Sequence, residues 1–253
     1  MARYPSLADQ AVLISGGAGG IGAAMVAAFG AQDARVAFLD CDEAASEKLA
    51  AEIGAASRHR PVFATVDLRD IDETLTAVQA LAELTGPFRF LLNNAGNDQA
   101  HAFDEVSVAF WDDRGAVNLR HQFFLAQAVA TSMGQLGGGA IVNLGSICWR
   151  IGAANVSVYA TMKAAVEGLT KSLACELGPK NIRVNAIAPG WVLTERQLAK
   201  GAADRSKFDD YLKRQSLKRH LEPQDIAEMA LFLCADESRS CTGQIFTVDG
   251  GIV

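Results

Sequence analysis

Short runs of consecutive apolar residues alternate along the chain with longer segments in which apolar residues recur every three or four positions. Continuous runs are typical of strands buried on both faces of a parallel sheet, and the three-to-four spacing is typical of covering helices. The pattern therefore predicts one α/β domain over residues 1–253, with a doubly wound, parallel, seven-stranded sheet and helices on both faces. The predicted strands are AVLIS, RVAFLD, PVFATV, FRFLLNN, GAIVNLGS, IRVNAIAP and IFTV. The predicted helices lie near residues 20–30, 43–54, 70–84, 107–134, 157–178 and 224–235.

Residues 191–222 interrupt this alternation. The segment is polar and helix-prone, and it lies between the sixth predicted strand and the last predicted helix. Ligands of open parallel sheets bind beyond the carboxyl ends of the strands, and the insertion begins at such an end. We expect it to form a lid over a substrate; a partly disordered segment without function is the alternative.

Composition and charge narrow the classes of function. The chain has 253 residues, half of them hydrophobic, which is enough for one large domain. Its formal net charge is -6 and no run of Lys and Arg occurs, so nucleic acid is not expected as a partner. No signal-like N-terminus and no stretch near the ~20 apolar residues of a membrane span is present, so we expect a cytoplasmic protein without membrane association. The five cysteines form no C-x-x-C pair, and no metal site is expected.

A glycine-rich stretch, SGGAGGIG, directly follows the first predicted strand and precedes a helix. Two overlapping triplets fit dinucleotide fingerprints: Gly17, Gly19 and Gly22 in the common spacing, and Gly16, Gly20 and Gly22 in a G-x-x-x-G-x-G variant. Glycines let the backbone turn sharply and present the N–H groups of the helix start to a pyrophosphate. A tight strand-to-helix turn without a ligand is the alternative.

An acidic residue, Asp40, ends the second predicted strand. At that place a carboxylate can accept hydrogen bonds from the adenosine ribose hydroxyls. The same charge repels a 2′-phosphate, and Cys41 and Asp42 supply no cation to offset it. NAD is therefore favoured over NADP, unless Asp40 is only a polar strand end.

The helical stretch SVYATMKAAVEGLTKSL places a lysine one turn from a tyrosine. Residues i and i+4 are neighbours on a helix, so the ammonium of Lys163 should lie beside the phenol of Tyr159. A free tyrosine, with a pKa near 10, is a poor base at neutral pH. The cation and the positive nicotinamide ring of an oxidised dinucleotide should lower that pKa and let the phenolate take the proton of an alcohol. The alternative is a core tyrosine beside a solvated lysine.

These features occur in a fixed order with three further ones: NNAG at 93–96, Asn118 in the fourth predicted helix, and Ser146 after the fifth strand. The set resembles the short-chain dehydrogenase/reductase family, with its Rossmann-type fold, over essentially the whole chain. The resemblance implies a catalytic tetrad of Asn118, Ser146, Tyr159 and Lys163, in which Ser146 holds the substrate oxygen and Asn118 anchors a water relay. Considered alone, Ser146 could equally be a turn residue. Asn118 could equally be a helix residue whose side chain forms hydrogen bonds with its own helix.

The resemblance also implies which residues bind the cofactor and how the protein assembles. The implied cofactor contacts are Gly16, Gly20, Ile21, Gly22, Asp40, Asp67, Leu68, Asn94, Ala95, Gly96, Tyr159, Lys163, Pro189, Gly190, Val192 and Thr194. A homotetramer is implied, and small residues on the fourth and fifth predicted helices suit close helix packing, although ordinary buried helices carry similar residues. The small residues are Ala126, Ala128 and Ala130, and Ala164, Ala165 and Gly168.

Several loop sequences are similar to those of bacterial aldose 1-dehydrogenases of this family, which oxidise D-xylose, L-arabinose or related sugars to aldonolactones. The stretches are NNAGNDQAH, NLRHQFF, GSICWRIG, PGWVLTERQ and YPSL. A sugar needs hydrogen-bonding groups on its rim and a flat apolar surface against its C–H face. The expected sugar contacts are Asn97, Asp98, Ser146, Trp149, Arg150, Trp191 and Gln197.

Other interpretations stay open at this point. The polar loop residues could simply face solvent, and His101 and His121 could be ligand contacts or structural polar residues. A carbonyl or 3-oxoacyl reductase would share every cofactor and catalytic motif. A non-catalytic NAD-sensing or scaffold protein could be built on the same fold.

Overall fold

The computed structural model describes residues 1–201 and 206–253. Seven strands form one parallel sheet in the order β3-β2-β1-β4-β5-β6-β7, which confirms the predicted fold class. The strands are β1 Ala11–Ser15, β2 Arg35–Asp40, β3 Val62–Thr65, β4 Phe90–Asn93, β5 Gly139–Leu144, β6 Ile182–Pro189 and β7 Ile245–Val248. The winding reverses between β1 and β4, so a crevice opens where the loops after these two strands diverge.

Helices cover both faces of the sheet. They are α1 Gly20–Gly30, α2 Glu43–Gly54, α3 Ile71–Thr85, α4 Val108–Gly115, α5 His121–Gln135, α6 Ser157–Leu177, α7 Glu195–Gly201, α8 Ser206–Arg214 and α9 Pro223–Cys234. Short 3₁₀ turns lie at Pro5–Leu7, Phe103–Glu105, Gly178–Lys180 and Asp236–Ser238. Of the helices formed by the described residues, none is long and apolar enough to cross a membrane.

Local sequence explains where several helices begin. The carboxylates of Asp42 and Asp70 accept hydrogen bonds from the first-turn amides of α2 and α3. At the start of α9, Pro223 occupies the first helical position within a capping box formed by Glu222 and Asp225. These signals are local in the sequence, and they explain why α2 has the predicted bounds and why α3 and α9 are shifted by only one residue.

Each face of the sheet carries its own buried core. Along β1, Val12 and Ile14 belong to a core shared with Met25 and Phe29 of α1 and with residues of α9. The intervening Leu13 belongs to the opposite core, which includes residues of α3, α5 and α6. Because both faces are buried, the strands read as continuous apolar runs rather than as an alternation.

The fourth predicted helix, 107–134, differs from the structure. It is divided into α4 and α5 by a π-helical turn at Ala116–Arg120. A π turn adds a residue to one helical turn and rotates the side chains that follow, and no periodic pattern in the sequence indicates it. Asn118 lies in this turn, so the interruption coincides with a candidate site residue.

The described residues of the insertion between β6 and α9 pack against one another, and the backbone N of Ser216 and of Leu217 donates to the carbonyl oxygens of Gly251 and Gly250 near the C-terminus. A bridge between Val192 and Leu221 joins its two ends. Its first residue, Trp191, packs against Phe208 with 4.6 Å between ring centroids and ring planes inclined by 31°, and meets Tyr211 edge-on at 5.4 Å. The tyrosine hydroxyl also accepts a hydrogen bond from the backbone N of Trp191 at 3.0 Å. These contacts hold the start of the insertion beside the carboxyl ends of the strands.

Candidate active site

A cleft of about 990 Å³ runs across the carboxyl ends of the strands. One end is lined by the glycine-rich loop and Asp40, the middle by Asn94, Ser146, Tyr159 and Lys163, and the other end by residues of the insertion. The expected cofactor contacts Gly16, Gly20, Ile21, Asp40, Asp67, Leu68, Asn94, Ala95, Gly96, Tyr159, Lys163, Pro189, Gly190, Val192 and Thr194 all line it. Gly22 lies just behind the loop.

The glycine-rich loop owes its shape to close backbone packing. Gly16 and Gly20 have φ angles of 67° and 53°, in the left-handed region that favours glycine. A Cβ on Gly16 would come within 2.9 Å of Ala95 Cα, and one on Gly22 would overlap the carbonyl oxygen of Gly16. The loop geometry thus requires all three glycines of the variant triplet, Gly16, Gly20 and Gly22; Gly17 is enclosed as well, since a Cβ there would come within 2.6 Å of the Phe38 side chain. At Gly19 a Cβ would meet nothing within 4 Å, so the loop faces open space there.

Asn94 joins the two loops that border the crevice. Its side-chain nitrogen donates hydrogen bonds to the carbonyl oxygens of Ser15 and Gly16 at 3.1 and 2.8 Å. In return, the Ser15 hydroxyl accepts from the backbone N of Asn94 and of Ala95. The NNAG stretch therefore fixes the separation of the loops after β1 and β4.

At the β2 end of the cleft, Asp40 has a structural role as well as a position suited to a ribose. One carboxylate oxygen accepts from the backbone N of Ala18 at 2.8 Å, and the other from that of Asp42 at 3.1 Å. Asp67, also in the lining, is paired with Arg69, whose guanidinium lowers the pKa of the Asp67 carboxyl by hydrogen bonding. Two carboxylates thus face this end of the cleft.

Tyr159, Lys163 and Ser146 meet in the middle of the cleft. The Lys163 side chain is 2% exposed; its Nζ lies 5.6 Å from the centroid of the Tyr159 ring and donates to the carbonyl oxygen of Leu144 at 2.7 Å. The Ser146 hydroxyl accepts from the backbone N of Cys148 at 3.1 Å. The phenol therefore has an ammonium beside it, as the i, i+4 spacing predicted, and the Ser146 hydroxyl lies in the same part of the cleft.

Asn118 approaches the same place from the π turn. Its Oδ1 accepts from the backbone N of Asn97 at 2.8 Å, and its Nδ2 donates to the carbonyl oxygens of Asn97 and Arg114. A Cβ on Gly96 would lie 3.1 Å from Asn118 Oδ1 and 3.2 Å from Lys163 Nζ, so the glycine lets both side chains approach the loop. The amide of Asn118 holds the start of the loop after β4; its expected role in a water relay stays a prediction.

Burial dominates the electrostatics of this group. It raises the pKa of Tyr159 well above its usual range, with further increases from Cys148 and Asp98, while a hydrogen bond with Ser146 and the charge of Arg196 lower it. Burial also lowers the pKa of Lys163 to about 8. In the protein without a dinucleotide, desolvation therefore outweighs the favourable charges. The expected lowering of the Tyr159 pKa by Lys163 together with the positive nicotinamide ring stays a prediction.

A network of polar side chains forms the insertion end of the cleft. Arg196 donates to Asn97 Oδ1 at 2.8 Å and forms an ion pair with Asp98 at 3.1 Å. Gln197 joins Asp98, at 2.8 Å, to the indole nitrogen of Trp191, at 3.1 Å. Four of the expected sugar contacts, Asn97, Asp98, Trp191 and Gln197, are thus brought together with Ser146 along the cleft.

Trp149 and Arg150, in contrast, turn away from the cleft. The Arg150 guanidinium donates to Thr247 Oγ1 on β7 at 3.0 Å and pairs with Glu167 on α6 at 2.8 Å. The Trp149 indole stacks on Arg150, donates to Glu167 and is 40% exposed. The structure therefore does not bring these two expected sugar contacts to the site, because Glu167 and Thr247 draw both side chains to the opposite side of their loop.

The two candidate histidines have structural environments. His101 Nε2 accepts from the backbone N of Val158 at the start of α6, at 3.3 Å. His121 is completely buried below the site, and burial lowers its pKa to about 3. Of the described residues, no three His, Cys, Asp or Glu side chains are grouped as metal ligands.

Sequence reasoning missed Tyr211 and Cys148, which also line the cleft. Tyr211 holds the backbone of Trp191 from α8, and Cys148 orients Ser146 through its amide. The spacing of Phe208 and Tyr211 on a polar helix was an available signal for the first. Nothing in the sequence around Cys148 indicates its orientation.

A phenol beside an ammonium and a hydroxyl, next to a cleft long enough for a dinucleotide, is what proton and hydride removal from an alcohol requires. The fold and the cleft are those of an oxidoreductase that works with a nicotinamide dinucleotide. More particularly, the chain belongs to the short-chain dehydrogenase/reductase family. A family model described as enoyl-(acyl carrier protein) reductase matches residues 16–253.

Two full-length relatives are sugar dehydrogenases by name. A probable galactose dehydrogenase of Rhizobium meliloti (strain 1021) is 43% identical over 250 residues, covering 99% of this chain and 97% of the relative. A D-xylose 1-dehydrogenase of Caulobacter vibrioides is 42% identical over 254 residues, covering 99% and 98%.

Solved structures of the family carry either nucleotide. A 3-oxoacyl-[acyl-carrier protein] reductase of Brucella melitensis with bound NAD has a TM-score of 0.88 and 32% identity, covering 98% of this chain and 93% of the other. The L-sorbose reductase of Gluconobacter frateurii, in complex with NADPH and L-sorbose, has a TM-score of 0.92 and 25% identity, covering 98% of both chains. The family likeness supports a nicotinamide dinucleotide without choosing between the two.

Proposed function

We propose that the protein is an NAD-dependent aldose 1-dehydrogenase, which oxidises the anomeric C–OH of a sugar to an aldonolactone. The observation that carries the proposal is the polar end of the cleft, where Asp98, Gln197 and Trp191 lie next to the Tyr159 group. Carboxylate and amide groups suit a rim of sugar hydroxyls, and an indole suits a C–H face. The likeness to galactose and D-xylose dehydrogenases supports the same substrate class.

The described residues fit a dinucleotide. The open space above Gly19 and the tight turn at Gly16 and Gly20 form a cradle that a side chain would fill. Gly16, Gly20, Ile21 and Gly22 would hold the pyrophosphate, and Pro189, Gly190, Val192 and Thr194 the nicotinamide end. When bound, the oxidised dinucleotide supplies the acceptor for the hydride.

The carboxylates at the adenosine end of the cleft favour NAD over NADP as the cofactor. Asp40 and Asp67 would face the ribose and the adenine, with Leu68 as an apolar neighbour. A 2′-phosphate placed beside Asp40 would meet like charge, which disfavours binding.

The proposed catalytic roles follow from the positions of the side chains. The Ser146 hydroxyl, oriented by the amide of Cys148, holds the substrate oxygen. Tyr159 would take the hydroxyl proton as the carbonyl forms, and Lys163 would hold the nicotinamide ribose. Asn118 keeps the loop with Asn97 in place and anchors the relay that removes the proton.

We further propose that the insertion, residues 191–222, acts as a lid. Its described part reaches across the cleft through side-chain contacts of Arg196 and Gln197 with Asp98. Contacts of this kind can be exchanged for sugar hydroxyls. Limited proteolysis of the insertion should slow when NAD and sugar are added; equal rates with and without ligands would contradict a lid.

A homotetramer is the proposed assembly. Ala128, Ala165 and Gly168 are exposed on α5 and α6 and could pack against a second copy, whereas Ala126 and Ala130 are buried in the core of the subunit. Sedimentation at micromolar concentration tests this, and a monomer would exclude it.

A panel of substrates tests the proposed function. The protein is mixed with NAD and with pentoses, hexoses and deoxy sugars, and formation of the reduced dinucleotide is followed by its absorbance. We expect turnover with aldoses and an aldonolactone as product. In a parallel arm, 3-oxoacyl and other carbonyl substrates with reduced dinucleotide test the reductase alternative, which the description of the family model favours. Lack of turnover in both arms would support a non-catalytic protein.

A further inference from the structure

The helix that carries Tyr159 and Lys163, α6, has no capping side chain of its own. Its N-cap residue is Val156, whose side chain cannot accept a hydrogen bond. The first amides of a helix have no partner within the helix and need an acceptor from elsewhere. Helices α2 and α3 differ, because Asp42 and Asp70 fill this place locally. The start of α6 therefore depends on an acceptor from another part of the fold.

His101, in the loop after β4, supplies such an acceptor. Its Nε2 accepts a hydrogen bond from the backbone N of Val158, in the first turn of α6, at 3.3 Å. The two residues are 57 positions apart in the chain. The amide that the imidazole caps belongs to the residue directly before Tyr159.

Several contacts fix the imidazole in this place. Because Nε2 accepts, the proton of the neutral ring is on Nδ1, which lies 3.2 Å from the carbonyl oxygen of Ala102 and can donate to it. The ring meets Phe110 of α4 edge-on, with 5.3 Å between centroids. The backbone N of His101 donates to the carbonyl oxygen of Asn155 at 2.9 Å, just ahead of α6. His101 is not among the described residues that line the cleft, so it contacts the helix rather than a ligand.

The same loop carries part of the proposed sugar rim. The backbone N of Asn97 is held by Asn118 Oδ1 at 2.8 Å, and Asp98 is joined to Gln197 at 2.8 Å. Beyond Asp98 the loop continues to His101 and, through its imidazole, to the first turn of α6. The loop therefore connects the rim of the cleft with the helix that carries the proposed base.

We propose that His101 is a positioning residue for Tyr159. By capping α6 it fixes the start of the helix, and with it the phenol, relative to the rim of the cleft. The loop after β4 then sets both the place of the sugar and the place of the base. A small displacement of a reacting group lowers the rate steeply, so the cap contributes to turnover. The inference rests on the proposed role of Tyr159 as the base.

The test compares variants at position 101 in the protein loaded with dinucleotide. His101→Gln keeps an acceptor oxygen close to the place of Nε2, whereas the amide of His101→Asn is too short to reach it and His101→Leu has no acceptor. His59→Leu is the matched control, since His59 also uses its Nε2, toward Asp9 at 2.8 Å, and neither residue is in the described cleft lining. Two quantities are measured. One is amide hydrogen exchange in the first turn of α6, and the other is kcat with whichever substrate, sugar or carbonyl, the unchanged protein turns over.

Loss of the cap should affect both quantities. Loss of a helix cap corresponds to a change of about two- to thirtyfold in an equilibrium, so exchange at Val158 should rise within that range in His101→Leu and His101→Asn. In the same two variants kcat should fall by about three- to tenfold, while KM and the affinity for dinucleotide change little because the cleft residues are kept. His101→Gln should restore both exchange and kcat. His59→Leu should change neither.

The other outcomes contradict the inference. Exchange at Val158 no faster in His101→Leu than in His59→Leu would show that α6 does not need the cap. Faster exchange with an unchanged kcat would mark a merely structural cap, and an equal loss of kcat in His101→Gln would show that the acceptor is not the cause. If His101→Leu does not fold, His101→Asn and His101→Gln, which differ by one methylene, decide the question.

Failure of the proposed substrate class is distinguishable from failure of the inference. Exchange needs no substrate, and turnover of a carbonyl substrate alone would exclude the sugar while kcat still reports on the cap. Lack of turnover with every substrate would remove the base on which the inference rests.

Discussion

The two ends of the cleft are built by different means. At the dinucleotide end, backbone packs on backbone: Gly22 lies against the Gly16 carbonyl, and Gly16 lies against Ala95. At the sugar end, half-exposed side chains meet across the gap, as Arg196 and Asp98 do at 3.1 Å. Close packing leaves one arrangement of the chain, whereas an ion pair in contact with water contributes only about 0–1 kcal/mol and is easily exchanged.

The difference explains how one fold can accept different substrates. A side chain at Gly16 or Gly22 would collide with the backbone, so these positions of the glycine-rich loop cannot change without disturbing the cofactor end. The rim is formed by side chains of the loop after β4 and of the insertion, which can change without disturbing the sheet. Tyr159 lies where the two ends meet.

The largest effect is expected at that meeting point. Tyr159→Phe removes the proposed base and keeps the ring, so kcat should fall by about 10²- to 10⁴-fold while NAD binding is retained. Activity assays with sugar measure kcat, and a separate titration measures the affinity for NAD. Substantial turnover in the variant would show that Tyr159 is not the base.

The next effect concerns the packed end. Gly22→Ala places a methyl group against the Gly16 carbonyl, so overpacking should reduce the free energy of unfolding by about 1–3 kcal/mol and weaken NAD binding. Denaturant unfolding and NAD titration measure this. Gly178→Ala is the matched control, since a Cβ there meets nothing within 4 Å. Equal behaviour of the two variants would contradict the account of the loop.

A smaller effect is expected from the charge at the adenosine end. Asp40→Asn keeps an oxygen that can accept from the Ala18 amide and removes the charge. The preference for NAD over NADP, measured as a ratio of kcat/KM values, should fall roughly tenfold, because a hydrogen bond to a charged group contributes about 1.5–3 kcal/mol and one to a neutral group about 0.5–1.5 kcal/mol. An unchanged ratio would remove Asp40 from the choice of nucleotide.

The smallest effect is expected outside the cleft. Trp149→Ala should change the KM for sugar by less than about twofold, since its indole contacts Arg150 and Glu167 and is turned from the site. Trp191→Ala, which removes the indole held by Gln197, should raise that KM clearly. If Trp149→Ala raised the KM for sugar more than Trp191→Ala did, the assignment of the sugar-facing surface to Trp191 would be wrong.

The sequence by itself determined the architecture and the order of the chemical groups. Seven buried apolar runs, the helices between them and the caps at Asp42 and Asp70 are local patterns whose meaning does not depend on distant residues. The i, i+4 spacing was enough to bring Lys163 to Tyr159, since helix geometry sets that contact.

The tertiary structure decided what depends on distant partners. The contact of Asn118 with Asn97, the turning of Trp149 and Arg150 toward Glu167 and Thr247, and the pairing of Arg196 with Asp98 each join residues far apart in the chain. The protonation state of Tyr159 was also decided by the tertiary structure. A pKa depends on the whole surroundings of the phenol, and burial there outweighs the neighbouring charge that the sequence makes visible.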